Sequence, residues 1–148
     1  MENDEVKFSS GLLELDVKGG NDGYLVPLEE RSEVVPFSIR RVYYIYGVGD
    51  GLRRGFHAHK TLKQLIVCVS GQCTIDLDNA CQRESFRLNQ PNVGLLINEP
   101  VWREMYDFSD DCVLMVLASE HYDPNDYIQS FREFKAFVRR MPGPSDRV

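Results

Sequence analysis

Long apolar runs are missing from this chain. No segment approaches the roughly 20 consecutive apolar residues of a membrane-spanning helix, which excludes a helical membrane anchor. The opening stretch MENDEVKFSSGLLELDVKGG starts acidic, where a secretory signal needs a basic start followed by an apolar run, so a cytoplasmic protein is expected. Basic residues are in deficit too. With 17 Lys and Arg against 23 Asp and Glu the net charge is -6, which leaves no basic face for a nucleic-acid backbone. A phosphorylated small molecule stays admissible, because one local pair of arginines holds a diphosphate whatever the global sum. The four cysteines, Cys68, Cys73, Cys81 and Cys112, form no CxxC pair, and Cys68 and Cys112 fall in apolar runs. Reduced, structural thiols are expected rather than zinc ligands or disulfides. Internal repeats and low-complexity segments are lacking as well.

What is present suits one soluble globular domain over residues 1 to 148, 43% apolar and 27% charged. Short runs rich in Val, Ile, Leu and Tyr recur: RRVYYIY, QLIVCVSG, CTIDLD, ESFRLN, VGLLI, VWREMYDF and CVLMVLAS. Gly, Pro, Asn and Asp break them at short intervals, a spacing that predicts an all-β fold, either a sandwich or a closed jelly-roll barrel, with a core over about 24–122. SGQC and DNACQ read as turns between antiparallel neighbours. Near the end, Asp123 as N-cap, Pro124 at the first helical position and Tyr127, Ile128, Phe131, Phe134 and Val138 at helical spacing predict one C-terminal helix over about 124–140, then a frayed tail over 141–148. The segment LLELDVKGGNDGYLVPLEE holds two apolar stretches around a Gly/Asn/Asp turn, which forms a hairpin within the barrel or extends an edge onto a second subunit.

Two of the three histidines stand one residue apart, His57 and His59, in RRGFHAHKTLKQLIVCVSG. On a strand, positions i and i+2 share a face, so both rings project the same way. A bare HxH pair serves equally well as surface, and its surroundings decide. Gly51, His57, His59, Gln64 and Gly71 fall at the spacing of the first cupin motif, with Gln64 where cupins carry a glutamate ligand. The second motif is matched at Gly94 and Pro100, after which Trp102 stands for a glycine and Met105 for a histidine. Two neutral imidazoles without a third histidine or a carboxylate make a poor divalent-metal site, although His121 or Asp107 remain conceivable completions. No metal is therefore expected. Two imidazoles in a pocket without a metal have one obvious use, as proton acceptor and donor near neutral pH.

These stretches resemble the dTDP-sugar 3,4-ketoisomerases, which carry a WxcM-like, RmlC-like cupin domain. RRVYYIYGV, RGFHAHKTLKQLIVCVSG and PNVGLLINEPVWREMYDFSDDCVLMVLASEHYDPNDYI carry the likeness over roughly residues 40 to 128, with the weaker GYLVPLEE near Tyr24. The resemblance implies a cupin barrel of two antiparallel sheets, a homodimer with exchanged N-terminal strands, no metal or organic cofactor, and a dTDP-sugar substrate. It also implies conversion of a dTDP-4-keto-6-deoxyglucose to its 3-keto isomer, feeding a 3-amino sugar for surface polysaccharide (lipopolysaccharide O-antigen) or S-layer glycan.

That reaction is two proton transfers through an enediolate, and it needs a base near neutral pH, a donor for the developing oxyanion and exclusion of water. His57 and His59 are the expected acid/base pair, both with ordinary imidazole pKa values. Tyr44 resembles the family's pocket tyrosine and is expected as a third catalytic group, with Tyr43 on the opposite face of its strand. Arg54, in RGFH, resembles the element whose guanidinium meets the diphosphate. Arg103, two residues before Met105 and on the same face, is expected to bind substrate, because a buried arginine without an anion is costly. Gln64 is expected to point inward and bond His57, His59 or substrate, and Tyr24 is placed near the sugar by resemblance alone. A bulky Tyr24 and Arg103 favour the gluco-configured product over the galacto one. The competing readings are a sugar-nucleotide 3,5-epimerase and a non-catalytic cupin that binds a sugar or nucleotide without turnover.

Overall fold

The computed structural model describes residues 9 to 142, so the expected frayed tail beyond residue 142 lies outside the described residues. Alternating patterns in the chain become two facing five-stranded antiparallel sheets. The first runs in the order β1 (Gly11–Glu14), β9 (Val93–Ile97), β6 (Gln64–Ser70), β11 (Val113–Ala118), β4 (Arg41–Tyr46). The second runs β12 (Tyr127–Ile128), β5 (Arg54–His59), β10 (Trp102–Tyr106), β7 (Cys73–Asp78), β8 (Arg83–Leu88). Their inner faces meet in one apolar core that includes Ile66, Ile75, Leu77, Leu95, Leu114 and Val116, all fully buried. The jelly-roll reading of the sequence describes this architecture.

Three local expectations are corrected. DNACQ does close a hairpin between β7 and β8, but SGQC crosses from the first sheet to the second, since β6 pairs with β9 and β11 while β7 pairs with β8 and β10. A turn motif reports a reversal of direction and not which sheet receives the chain. The first sheet also begins before residue 24, because β1 pairs with β9 along its length.

The C-terminal helix, α1, starts at Phe131 and ends at Arg140, not at 124. Asp123 caps only a 3-10 turn, Pro124–Asp126, by accepting from the Asn125 N–H. Tyr127 and Ile128 then pair with His59 and Ala58, completing the edge of β5. Ile128 drops into a cluster with Ala58, Trp102 and Phe134, so burial and strand pairing override the helical spacing. Ser130 is the true N-cap, its hydroxyl accepting from the Glu133 N–H at 3.3 Å.

Outside the barrel, β2 (Lys18–Gly20) and β3 (Gly23–Leu25) pair only with each other, and all six residues are exposed. The segment that follows lays Val26, Leu28, Val34, Val35, Phe37 and Ile39 over one part of the first sheet's outer face, against Leu65, Val67 and Leu117. No helix among the described residues is long and apolar enough to cross a membrane.

Candidate active site

Strand β5 delivers both histidines to one end of the barrel. Gly55 (φ 96°) and Phe56 (φ 56°) are left-handed, and the register between β5 and β10 slips beside Arg103. Gly55 is required there, since a Cβ would lie 2.8 Å from the Arg103 carbonyl oxygen. Past this bulge His57 and His59 project from the same face, ring centroids 4.9 Å apart and nearly perpendicular.

Each imidazole is held by its Nδ1. His57 Nδ1 lies 3.0 Å from the Gly55 carbonyl oxygen, and His59 Nδ1 lies 3.1 Å from Asp126 Oδ2. Both partners can only accept, so each Nδ1 carries the proton and each Nε2 keeps a lone pair. Burial, helped by the Arg103 guanidinium, pushes His57 down to about 4. The same causes, with His57 and Arg41, push His59 down to about 2. The expectation of ordinary imidazole pKa values is thus corrected, because at neutral pH both rings are neutral. The His59–Asp126 contact is accordingly a hydrogen bond from a neutral ring and not an ion pair.

Arg103 faces His57 across the β5–β10 ladder and is 1% exposed. Its Nη1 donates to Gln64 Oε1, while Nε and Nη2 are buried without a partner. Burial lowers its pKa to about 10, which still leaves it charged at neutral pH. Unpaired N–H groups on a buried cation are costly, so this arrangement is built for an anion or a developing oxyanion. Gln64 bonds neither histidine; its Nε2 donates to the Tyr43 hydroxyl at 2.8 Å. Gln64 therefore orients two pocket groups, which corrects the expected bond to a histidine.

A cavity of about 380 Å³ opens between these groups, lined by Arg41, Tyr43, Arg54, His57, Arg103 and Tyr127 among others. A neighbouring one of about 280 Å³ is lined by Arg41, His59, His121, Tyr122, Asp126 and Tyr127 among others. Tyr44 lines neither. It sits on the outward face of β4, 66% exposed, while Arg41, Tyr43 and Ile45 face inward, so the tyrosine that the fold brings to the cavity is Tyr43. Strand alternation separates the two tyrosines correctly but does not say which parity faces the core. Tyr24, 79% exposed on β3, also lies away from both cavities of its own chain, because its ribbon pairs only with itself.

Sequence reasoning missed four residues here. Arg41 and Tyr43 share the inward parity of β4, and Arg41 also packs against Tyr43 and Tyr122, 5.1 Å and 5.8 Å from their ring centroids. Asp126 and Tyr127 were assigned to helix. Tyr127 instead lies 5.1 Å from the His57 ring and 4.4 Å from the His59 ring. The available signal was DPND itself, a capped turn that a helix reading absorbs. The residues do not suit a metal ion: among the described residues no group of three or more His, Cys, Asp or Glu is arranged to hold one. Gln64 is committed to Arg103 and Tyr43, and Met105 packs in the core.

Comparison with known proteins agrees with this geometry. The family model FdtA, WxcM-like, C-terminal, matches residues 9–139. A TDP-4-oxo-6-deoxy-alpha-D-glucose-3,4-oxoisomerase from Aneurinibacillus thermoaerophilus is 47% identical over 119 residues, 80% of this chain and 85% of the relative. A mutant of the 3,4-ketoisomerase QdtA from Thermoanaerobacterium thermosaccharolyticum, solved with TDP-4-keto-6-deoxyglucose, superposes with TM-score 0.86 at 38% identity, covering 90% of this chain and 96% of that one. The WlaRB TDP-quinovose 3,4-ketoisomerase from Campylobacter jejuni is 42% identical, with TM-score 0.82 over 86% of this chain and 98% of that one. An RmlC epimerase from Mycobacterium tuberculosis shares the fold alone, at 18% identity and TM-score 0.67 over 80% of this chain and 66% of that one. Matched by that model over nearly all of its described residues, and by a relative identical at almost half of the 119 aligned positions, the chain belongs to the FdtA family of WxcM-like, C-terminal domains.

Proposed function

We infer that the chain is an isomerase, converting dTDP-4-keto-6-deoxy-D-glucose to a dTDP-3-keto-6-deoxyhexose by acid/base proton transfer through an enediolate. One observation carries this reading: a neutral imidazole with a free Nε2, His57, faces a fully buried guanidinium with two unbonded nitrogens, Arg103. A base for a C–H proton and a stabiliser for the resulting oxyanion are what an enolisation needs. His57 takes the proton from C3, Arg103 meets the charge that develops on the C4 oxygen, and the protonated His57 then serves C4. The low pKa of His57 reflects its burial first and then the positive charge of Arg103 beside it. An anionic substrate offsets that charge and restores basicity when it is needed. Arg54, at the exposed start of β5 and lining the same cavity, holds the diphosphate. Tyr43 accepts from Gln64, which leaves its own proton free to donate to a sugar oxygen.

The enzyme works in the cytoplasm, its product is the gluco-configured 3-keto sugar, with Arg103 and Tyr24 restricting the sugar pose, and that product feeds a 3-amino sugar for surface polysaccharide or S-layer glycan. A homodimer with exchanged N-terminal strands fits two exposed features. The β2–β3 ribbon pairs with no other strand among the described residues, and Val42, Tyr44 and Tyr46, 55%, 66% and 70% exposed, line the outward face of the edge strand β4. Exchange buries both and carries Tyr24 toward the partner's substrate.

The test is a proton NMR time course with dTDP-4-keto-6-deoxyglucose in D₂O, after EDTA treatment. A 3-keto sugar with deuterium at C4 is expected, its ring coupling reporting the C4 configuration, and an unchanged substrate spectrum would overturn the reading.

A further inference from the structure

The two histidines are alike in sequence and unlike in what holds them. His57 Nδ1 meets a neutral carbonyl, whereas His59 Nδ1 meets a carboxylate. That carboxylate is itself clamped. Asp126 Oδ1 accepts from the Thr61 N–H at 2.8 Å and from the Thr61 hydroxyl at 2.9 Å. Its backbone carbonyl accepts from the Lys60 N–H at 3.0 Å, and its own N–H reaches the Asp123 carbonyl at 3.1 Å. The His59 and Asp126 side chains are 2% and 14% exposed. Such a clamp fixes both the ring's tautomer and its orientation.

The reaction demands a division of labour. One proton leaves C3 and one is delivered to C4, the carrier exchanging with solvent in between, and a second must travel between oxygens, from O3 to O4. We infer that Asp126 is a positioning residue that makes His59 the carrier of the oxygen-to-oxygen proton, leaving His57 to work on carbon; this rests on the ketoisomerase reading above. His57 Nε2 takes the C3 proton, the C–H pair becomes the C3=C4 bond, and the carbonyl pair moves onto O4. His59 Nε2 accepts the O3 proton and returns it to O4. The O3 pair then forms the C3 carbonyl, and the C3=C4 pair takes the proton that His57 delivers at C4. Atoms and electrons balance without a further reactant.

Holding the second proton is electrostatically harder at His59 than at His57, so a carboxylate on the His59 ring is needed there. While His59 holds the second proton it is a cation in a buried site faced by Arg103, Arg41 and His57, which all oppose that charge. Among the described residues Asp126 is the one carboxylate bonded to its ring. The imidazole centroids lie 4.9 Å apart, and substituents on adjacent sugar carbons lie closer together than that, so a single sugar ring spans both.

The experiment compares wild type with Asp126→Asn in D₂O on dTDP-4-keto-6-deoxyglucose, following by NMR both deuterium entering C3 of unreacted substrate and formation of the 3-keto product. Expected for Asp126→Asn is a fall in product formation of about 10² or more, with C3 exchange kept within about threefold of wild type, the separation that a lost relay leaves behind. In ¹⁵N spectra the His59 ring should gain the Nε2–H tautomer. Parallel loss of exchange and product, or loss of neither, would overturn the inference. Should Asp126→Asn not fold, His59→Gln, which leaves the Asp126 turn in place, must show the same separation, and parallel loss in that variant is equally fatal. Wild type that neither exchanges nor isomerises would overturn the ketoisomerase reading itself.

Discussion

Strand β6 carries two equally buried positions that differ in every other respect. At its start Gln64, 1% exposed, links Arg103 to Tyr43 beside two imidazoles. Four residues on, Cys68, also 1% exposed, packs with Cys73 and Cys112, its Sγ 3.7 Å from that of Cys112 and bonded to the Ser70 carbonyl. The thiol end lies within the apolar core, whereas the glutamine end holds guanidinium nitrogens without partners. Depth of burial therefore does not distinguish site from core in this barrel. Polar valence left open does, because leaving it open is expensive unless a ligand closes it.

That contrast can be broken by exchanging the consequences of the two ends. His57→Asn at the open end should lower kcat by about 10² to 10⁴ while the thermal midpoint stays close to wild type, measured by NMR turnover and calorimetry. Leu114→Ala in the apolar core should do the reverse, costing about 2–5 kcal/mol in denaturant unfolding with kcat per folded molecule retained. A core variant that lost turnover while folded, or a His57 variant that kept it, would dissolve the distinction. Next in size, Tyr43→Phe should cost about tenfold in kcat/KM, the loss of roughly one hydrogen bond. Tyr44→Phe, on the outward face, should cost nothing in turnover; equal effects would mean that the inward parity of β4 has been assigned to the wrong residue.

The last effect is on pH dependence. Folded His57 titrates near 4 and His59 near 2, against about 6.5 for an unfolded imidazole. Between these values the unfolded chain binds more protons. The histidines' contribution to stability is therefore complete above about pH 6.5 and is lost as pH falls through 4. Urea titrations at neutral and acid pH should show the His57→Asn/His59→Asn variant losing less stability than wild type over that window, and an equal loss would mean the rings are not held neutral.

Much of this was legible in the sequence. Period-two runs broken by turn residues specify strands, and the HAH spacing places two rings on one face, because both depend only on local backbone geometry. Arg103 was accessible through its distance from Met105 along a strand. Tyr43 was not, since a six-residue strand with aromatics on both faces carries no mark of which side meets the opposite sheet. Asp126 and Tyr127 were hidden by Phe131, Phe134 and Val138, whose helical spacing is real and begins just after them.

The sequence by itself determined the all-β class, the likeness to sugar 3,4-ketoisomerases and the shared face of His57 and His59, because these rest on residue types and spacings within one segment. Only the tertiary structure decided that Tyr43 and not Tyr44 enters the cavity, that Gln64 serves Arg103 and Tyr43, and that Asp126 grips His59 from 67 residues away. Those choices depend on which strands become neighbours and on which polar groups burial obliges to find each other, quantities set by the packed barrel and by no stretch of the chain alone.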